Sequence, residues 1–138
     1  MDPEIWGPPA WKFIHLLTLN YPNKPSFEDK YNYKEFILSL QKVLPCETCS
    51  QHFQKHIQNN NFDDILKSRE TLFEWFVDVH NSVNKQNKKK EWSYSKAYNN
   101  LKVSNNQSFI FTYLKTSILI SIIIMILCII FMYNFHLK

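Results

Sequence analysis

Cys46 and Cys49, separated by Glu47 and Thr48 and preceded by Pro45, are the residues of this chain best suited to chemistry. Two sulfurs three positions apart close a small ring with little rearrangement, so they can pass between dithiol and disulfide. An amphipathic helix is predicted from about Cys46 to Gln58, with Cys49, Phe53 and Ile57 on one face. Its unpaired amides and positive dipole end lie beside the sulfurs and favour thiolate, the form that attacks disulfides. A static disulfide closing so short a loop restricts the unfolded chain little and is unusual in cytosol. The pair therefore reads as redox-active.

Zinc is the competing use, because His52 and His56 complete a Cys-x2-Cys-x2-His-x3-His run. Four ligands strung along one turn and helix cannot easily surround a tetrahedral ion. The expectation is no metal, with both histidines on a solvated helix face. A membrane-tethered zinc-binding helical adaptor is the alternative, and a helical scaffold with an incidental disulfide is a third reading. Cys128 reads as a small apolar residue outside the redox relay.

A second constellation joins two helical pairs. His80 and Asn84 are one turn apart with Asn81 and Val83 among them, and Trp11 and His15 are likewise four apart. Ring nitrogens and amides at a helix end can grip a polar heterocycle, and a flat ligand could lie between the two helices. Taken alone, each pair more often means helix capping or core packing.

The elements that carry these residues read as helices. Trp11, Ile14, His15, Thr18 and Leu19 define the first, starting after Pro8-Pro9 and ending at Tyr21-Pro22. Phe36, Ile37, Leu40, Val43 and Leu44 define the second, stopped by Pro45. The cysteine helix is third. A fourth runs from Ser68 through Leu72, Trp75, Phe76, Val79 and Val83. Sustained alternation and hairpin turns are missing, so the fold class is all-α, most simply a small helical bundle. A thioredoxin-like frame, which needs βαβ units, is excluded.

Of 138 residues, 99–108 read as a polar linker and 109–135 as a membrane segment, leaving residues 1–98 as one small domain and 136–138 as a short tail. Positions 116–135 carry no charge, and their twenty residues would span roughly 30 Å as a helix, the hydrocarbon thickness of a bilayer. Lysines at 88–90, 96, 102 and 115 precede that run and Lys138 follows it, which places the domain in the cytosol as a tail-anchored, single-pass protein. The acidic amino terminus is no secretory signal. The single glycine, Gly7, rules out glycine-rich phosphate loops. The net charge of +4 comes largely from Lys85 to Lys102, without the arginine-rich face that nucleic-acid binding favours, so no nucleic acid is expected.

Three motifs, in this order and spacing, resemble the Erv/ALR family of FAD-linked sulfhydryl oxidases, especially the short forms of large cytoplasmic DNA viruses. They are Trp6-Gly7-Pro8 with Trp11 and His15, Pro45-Cys46-Glu47-Thr48-Cys49, and His80-Asn81-Ser82-Val83-Asn84. The resemblance covers residues 5 to 95. It implies a four-helix bundle with a short fifth helix, paired as a homodimer, with FAD held noncovalently. It also implies that Trp11, His15, His80, Asn81, Val83 and Asn84 contact the flavin nucleotide, with Lys89 at its phosphates and Tyr94 and Tyr98 over the adenine. Relatives often continue x-x-L-G-K-P-x-F, and this chain, with Lys85-Gln86-Asn87-Lys88-Lys89-Lys90, lacks that glycine and proline, so Lys88 or Lys90 could take the place of Lys89. It also lacks the extra cysteine pairs of many relatives, so a dithiol protein or a thioredoxin-like shuttle must deliver the electrons.

The mechanism expected is attack of a partner thiolate on Cys46, release of Cys49 as a thiolate toward the flavin, and transfer of the electrons to oxygen, giving hydrogen peroxide. The viral likeness suggests service to virion proteins in host cytoplasm or at a virion membrane.

Overall fold

The computed structural model of the chain describes the backbone of residues 1–136 and the side chains of residues 1–102, 113–127 and 130. Among the described residues every regular element is a helix: α1 (Pro3–Asn20), α2 (Phe27–Val43), α3 (Glu47–Gln58), α4 (Phe62–Ile65), α5 (Arg69–Gln86) and α6 (Tyr94–His136). The all-α expectation holds, with α1, α2, α3 and α5 as the long helices of a compact unit, Met1–Leu101, and α4 as a single turn between α3 and α5.

Side-chain caps start these helices. Asp2 accepts the Glu4 amide ahead of α1, Ser26 and Asp29 close a capping box on α2, and Ser68 and Thr71 do the same on α5. The first helix therefore begins at Pro3, not after Pro8-Pro9, and both prolines lie inside it. The carbonyls left without an amide donor belong to Glu4 and Ile5, which are exposed and can be solvated, so the prolines are tolerated there.

Two apolar clusters hold the unit. The larger joins Ile14, Ile37, Phe53, Leu72, Phe76 and Val79 from four helices. The smaller joins Phe73 and Val77 of α5 to Ala97 and Leu101 in the first turns of α6. Tyr21 is fully buried, and its hydroxyl donates to the Leu66 carbonyl at 2.9 Å. Arg69, the chain's one arginine, donates Nε–H to the Tyr21 carbonyl at 2.6 Å, tying the start of α5 to the end of α1.

Residues 99–108, expected as a linker, lie within α6, and Leu101 is buried on α5, so the compact unit extends past residue 98. Extending an existing helix costs far less than nucleating one, which lets polar, poorly periodic residues stay helical. No helix among the described residues is long and apolar enough to cross a membrane. Positions 128, 129 and 131–135 of the expected span, Cys128 included, lie outside the described side chains.

The end of α5 resolves the missing glycine. Asn87 caps the helix, the Lys88 amide donates to Lys85 at 3.1 Å and the Lys89 amide to Asn84 at 2.7 Å, the paired bonds of a Schellman motif. Lys88 holds the left-handed conformation at φ 55°, a position that favours glycine. Lys88→Gly is expected to raise unfolding stability by about 1 kcal/mol, read as a higher urea midpoint at unchanged slope. An unchanged or lower midpoint would contradict this.

Candidate functional site

Pro45 follows the end of α2 and Cys46 is the N-cap of α3, so the Cys-x-x-Cys segment begins where helical amides point outward. Cys46 and Cys49 are joined by a disulfide with Cα atoms 5.2 Å apart. The Cys49 amide donates to Cys46 Sγ at 3.2 Å, so the first-turn donor already faces sulfur. Ser50 anchors the turn by donating to the Gln41 carbonyl at 2.6 Å. Both cysteines are half-buried, within reach of a partner thiol.

The second constellation assembles between α1 and α5, which pack along each other. The Trp11 and His80 rings stack with centroids 4.3 Å apart and planes within 5°. His15 Nε2 lies 3.1 Å from His80 Nδ1, so one imidazole donates to the other. Phe73 and Trp92 close the sides, at 5.8 Å from His15 and 5.4 Å from His80 respectively. Burial pushes both imidazoles down to about 4, His15 further lowered by His80, and His80 by Lys89. Both are neutral at neutral pH. His15 Nδ1 is buried without a partner.

The other expected residues divide. Asn84 is buried and Val83 half-buried on the same helical stretch as His80. Asn81 clamps the chain instead: its amide donates to the Trp92 carbonyl and accepts the Trp92 N–H, both at 2.8 Å. That commitment follows from Trp92 folding back after the α5 turn, and it leaves Asn81 acting through Trp92. Lys89 pairs with Glu4 of α1 at 2.8 Å and lies close enough to bias His80. Tyr94 donates to the Asp78 carboxylate at 3.0 Å, and Tyr98 meets Phe73 edge-on.

The expectation for His56 needs correction. It is half-buried, with Nε2 at 2.7 Å from Ser82 Oγ of α5, because α3 lays that face on α5 instead of on solvent. Among the described residues no three His, Cys, Asp or Glu side chains gather as a metal site. Glu4, Trp92 and the His56–Ser82 pair were not legible as site residues. Their partners lie 85, 11 and 26 positions away, beyond any helical period.

A helical bundle with a Cys-x-x-Cys disulfide at one helix start and an aromatic-imidazole cluster between two others defines a class of small all-α redox proteins. Residues 8–106 match the Erv1 / Alr family, and the chain belongs to that family. It is 41% identical over 98 residues to the probable FAD-linked sulfhydryl oxidase R368 of Acanthamoeba polyphaga mimivirus, covering 70% of this chain and 68% of that protein. It is 33% identical over 88 residues to the mitochondrial FAD-linked sulfhydryl oxidase ERV1 of Saccharomyces cerevisiae, covering 64% and 46%. The chain thus spans two thirds of the mimiviral relative and about half of the yeast one. The crystal structure of the FAD binding domain of Erv1 from Saccharomyces cerevisiae superposes with a TM-score of 0.68 at 30% identity, covering 74% of this chain and 95% of that one.

The neutral imidazoles set a pH dependence. Their folded values lie below the unfolded 6.5, so their contribution is complete above about pH 6.5 and is lost as pH falls through about 4. His15 and His80 ring-proton NMR signals should titrate near 4, with the urea midpoint declining over the same interval. Titration near 6.5 with a flat midpoint would contradict the buried neutral pair.

Proposed function

We propose that this chain is a FAD-linked sulfhydryl oxidase that forms disulfides in thiol substrates through its Cys46–Cys49 pair. The observation that carries this is the disulfide at the α3 start in the same small bundle as the Trp11, His15 and His80 cluster.

FAD fits these residues. The buried, unpartnered His15 Nδ1 calls for a polar partner, and the Trp11–His80 stack, closed at 4.3 Å, offers a flat heterocycle an aromatic surface with no slot between its two rings. Trp11, His15, His80, Val83 and Asn84 would hold the nucleotide, and Asn81 would keep Trp92 against His80. Lys89 is favoured over Lys88 and Lys90 for the phosphates, because its ammonium reaches α1 and its charge already acts on His80. When bound, FAD supplies a two-electron acceptor for a dithiol and a route for those electrons to oxygen.

The chain's own residues perform the thiol exchange. A substrate thiolate attacks Cys46 Sγ, the Cys46–Cys49 bond breaks and Cys49 leaves as a thiolate. A second substrate thiolate attacks the mixed disulfide, forming the substrate disulfide and releasing Cys46. The α3 amides and dipole stabilise both thiolates. Cys46 takes the outer role because it stands ahead of the helix, with Cys49 inside its first turn. Overall, two thiols and one O2 become one disulfide and one H2O2, a balanced two-electron exchange.

A membrane location belongs to the same proposal. Positions 116–135 are uncharged, and Ile118, Leu119, Ile120, Ile122, Ile123, Ile124, and Leu127 are all exposed. The Thr116, Ser117 and Ser121 hydroxyls bond back to their own helix, as polar groups in lipid must. The preceding lysines favour a cytosolic domain, and a dithiol protein or thioredoxin-like shuttle is the electron donor. Pairing as a homodimer is part of the family-based reading.

With a small dithiol the purified chain should consume oxygen and release peroxide in equal amounts. Cys49→Ser should lower turnover by about 10³-fold or more while retaining flavin. Turnover that survives Cys49→Ser would refute the relay. In cell fractions the chain should sediment with membranes and resist alkaline carbonate, and release by carbonate would refute the spanning segment.

A further inference from the structure

The helix carrying the cysteines must be held at a fixed depth against the helix carrying His80 to Asn84. The apolar contact between them is non-directional: Phe53 of α3 meets Trp75 and Phe76 of α5 at ring-centroid distances of 5.9 and 6.3 Å. Such packing resists separation and tolerates sliding. A hydrogen bond with defined donor and acceptor does not.

Cys49, Phe53 and His56 are spaced four and three along α3 and share a face. Ser82 is the central residue of His80-Asn81-Ser82-Val83-Asn84. Its hydroxyl donates to the Val79 carbonyl at 2.8 Å, which uses its one hydrogen. Both contacts are met at once only when the Ser82 oxygen accepts from His56, the tautomer with the proton on Nε2. Burial first, then His52, holds the His56 imidazole below its ordinary value, while Asp78 opposes this, so the ring is neutral near pH 7.

We propose that His56 is a positioning residue: its Nε2–H bond to Ser82 sets where α3, and with it the Cys46–Cys49 pair, lies against the His80–Asn84 segment of α5. This rests on the oxidase reading for its effect on turnover. The geometric consequence is that Cys49, two turns before His56 on α3, is located by a bond made to the middle of the proposed nucleotide-binding stretch. Small misplacements of reacting groups are costly, about 10²-fold for 1 Å.

The test uses the full chain with its flavin and four variants: His56→Leu, Ser82→Ala, the double, and His56→Gln. His56→Leu and Ser82→Ala should each lower kcat with a small dithiol by about 10-fold, at unchanged KM and flavin content and with the chain still folded at the assay temperature. The double should be no worse than the weaker single, and His56→Gln, which keeps a donor, should recover most of kcat. Independently of activity, imidazole nitrogen NMR should show the Nε2–H tautomer in the native chain. Amides of residues 49–53 should exchange faster in His56→Leu.

An Nδ1–H tautomer, an unchanged kcat in His56→Leu, or a loss that tracks flavin content or unfolding would overturn the proposal. A native chain that oxidises no dithiol would overturn the activity itself. The tautomer and amide exchange then decide the helix placement alone, with unchanged exchange in His56→Leu overturning it.

Discussion

His80 is half-buried in α5, and it is tolerated there because α1 brings Trp11 and His15 against it. The stack satisfies the ring faces, and the imidazole pair satisfies one nitrogen on each side. Both rings are kept neutral by the burial that packing creates. Around this contact the rest is arranged: Arg69 and Tyr21 tie the far ends of α1 and α5, and the Glu4–Lys89 pair ties the near ends. Asn81 folds Trp92 back over His80, and the first turns of α6 cover Phe73 and Val77.

The cysteine pair is attached to this frame through α3, whose Phe53 meets Trp75 and Phe76 of α5. A proline stop after α2 and an N-cap at Cys46 place the sulfurs where backbone donors are unpaired, so their chemistry is an outcome of helix geometry. The chain has one glycine, so in the proposed site side chains of two helices take the binding role that backbone amides have in glycine-rich folds.

Features with a local period were legible in the sequence. Cys46 and Cys49, His80 and Asn84, Trp11 and His15 each stand one turn apart, and the helices that carry them follow from apolar spacing and caps. What was missed depends on contacts between distant positions. Nothing local tells that His56 faces Ser82, that Asn81 is committed to Trp92, or that Glu4 meets Lys89. The start of α1 lies at the Asp2-Pro3-Glu4 cap and not after Pro8-Pro9, and the carbonyls that both prolines leave free, those of Glu4 and Ile5, are exposed to water. Lys88 stands where relatives often carry a glycine. It holds a left-handed turn for which a lysine is less suited than a glycine.

The central claim, that the α1–α5 cluster holds the flavin, is tested most directly by the visible absorption spectrum of the purified chain beside that of His80→Leu. The account predicts a yellow native protein with stoichiometric flavin, and a His80→Leu protein with native helical circular dichroism and no flavin colour. A colourless native chain, or a folded His80→Leu that retains its full flavin, would contradict it.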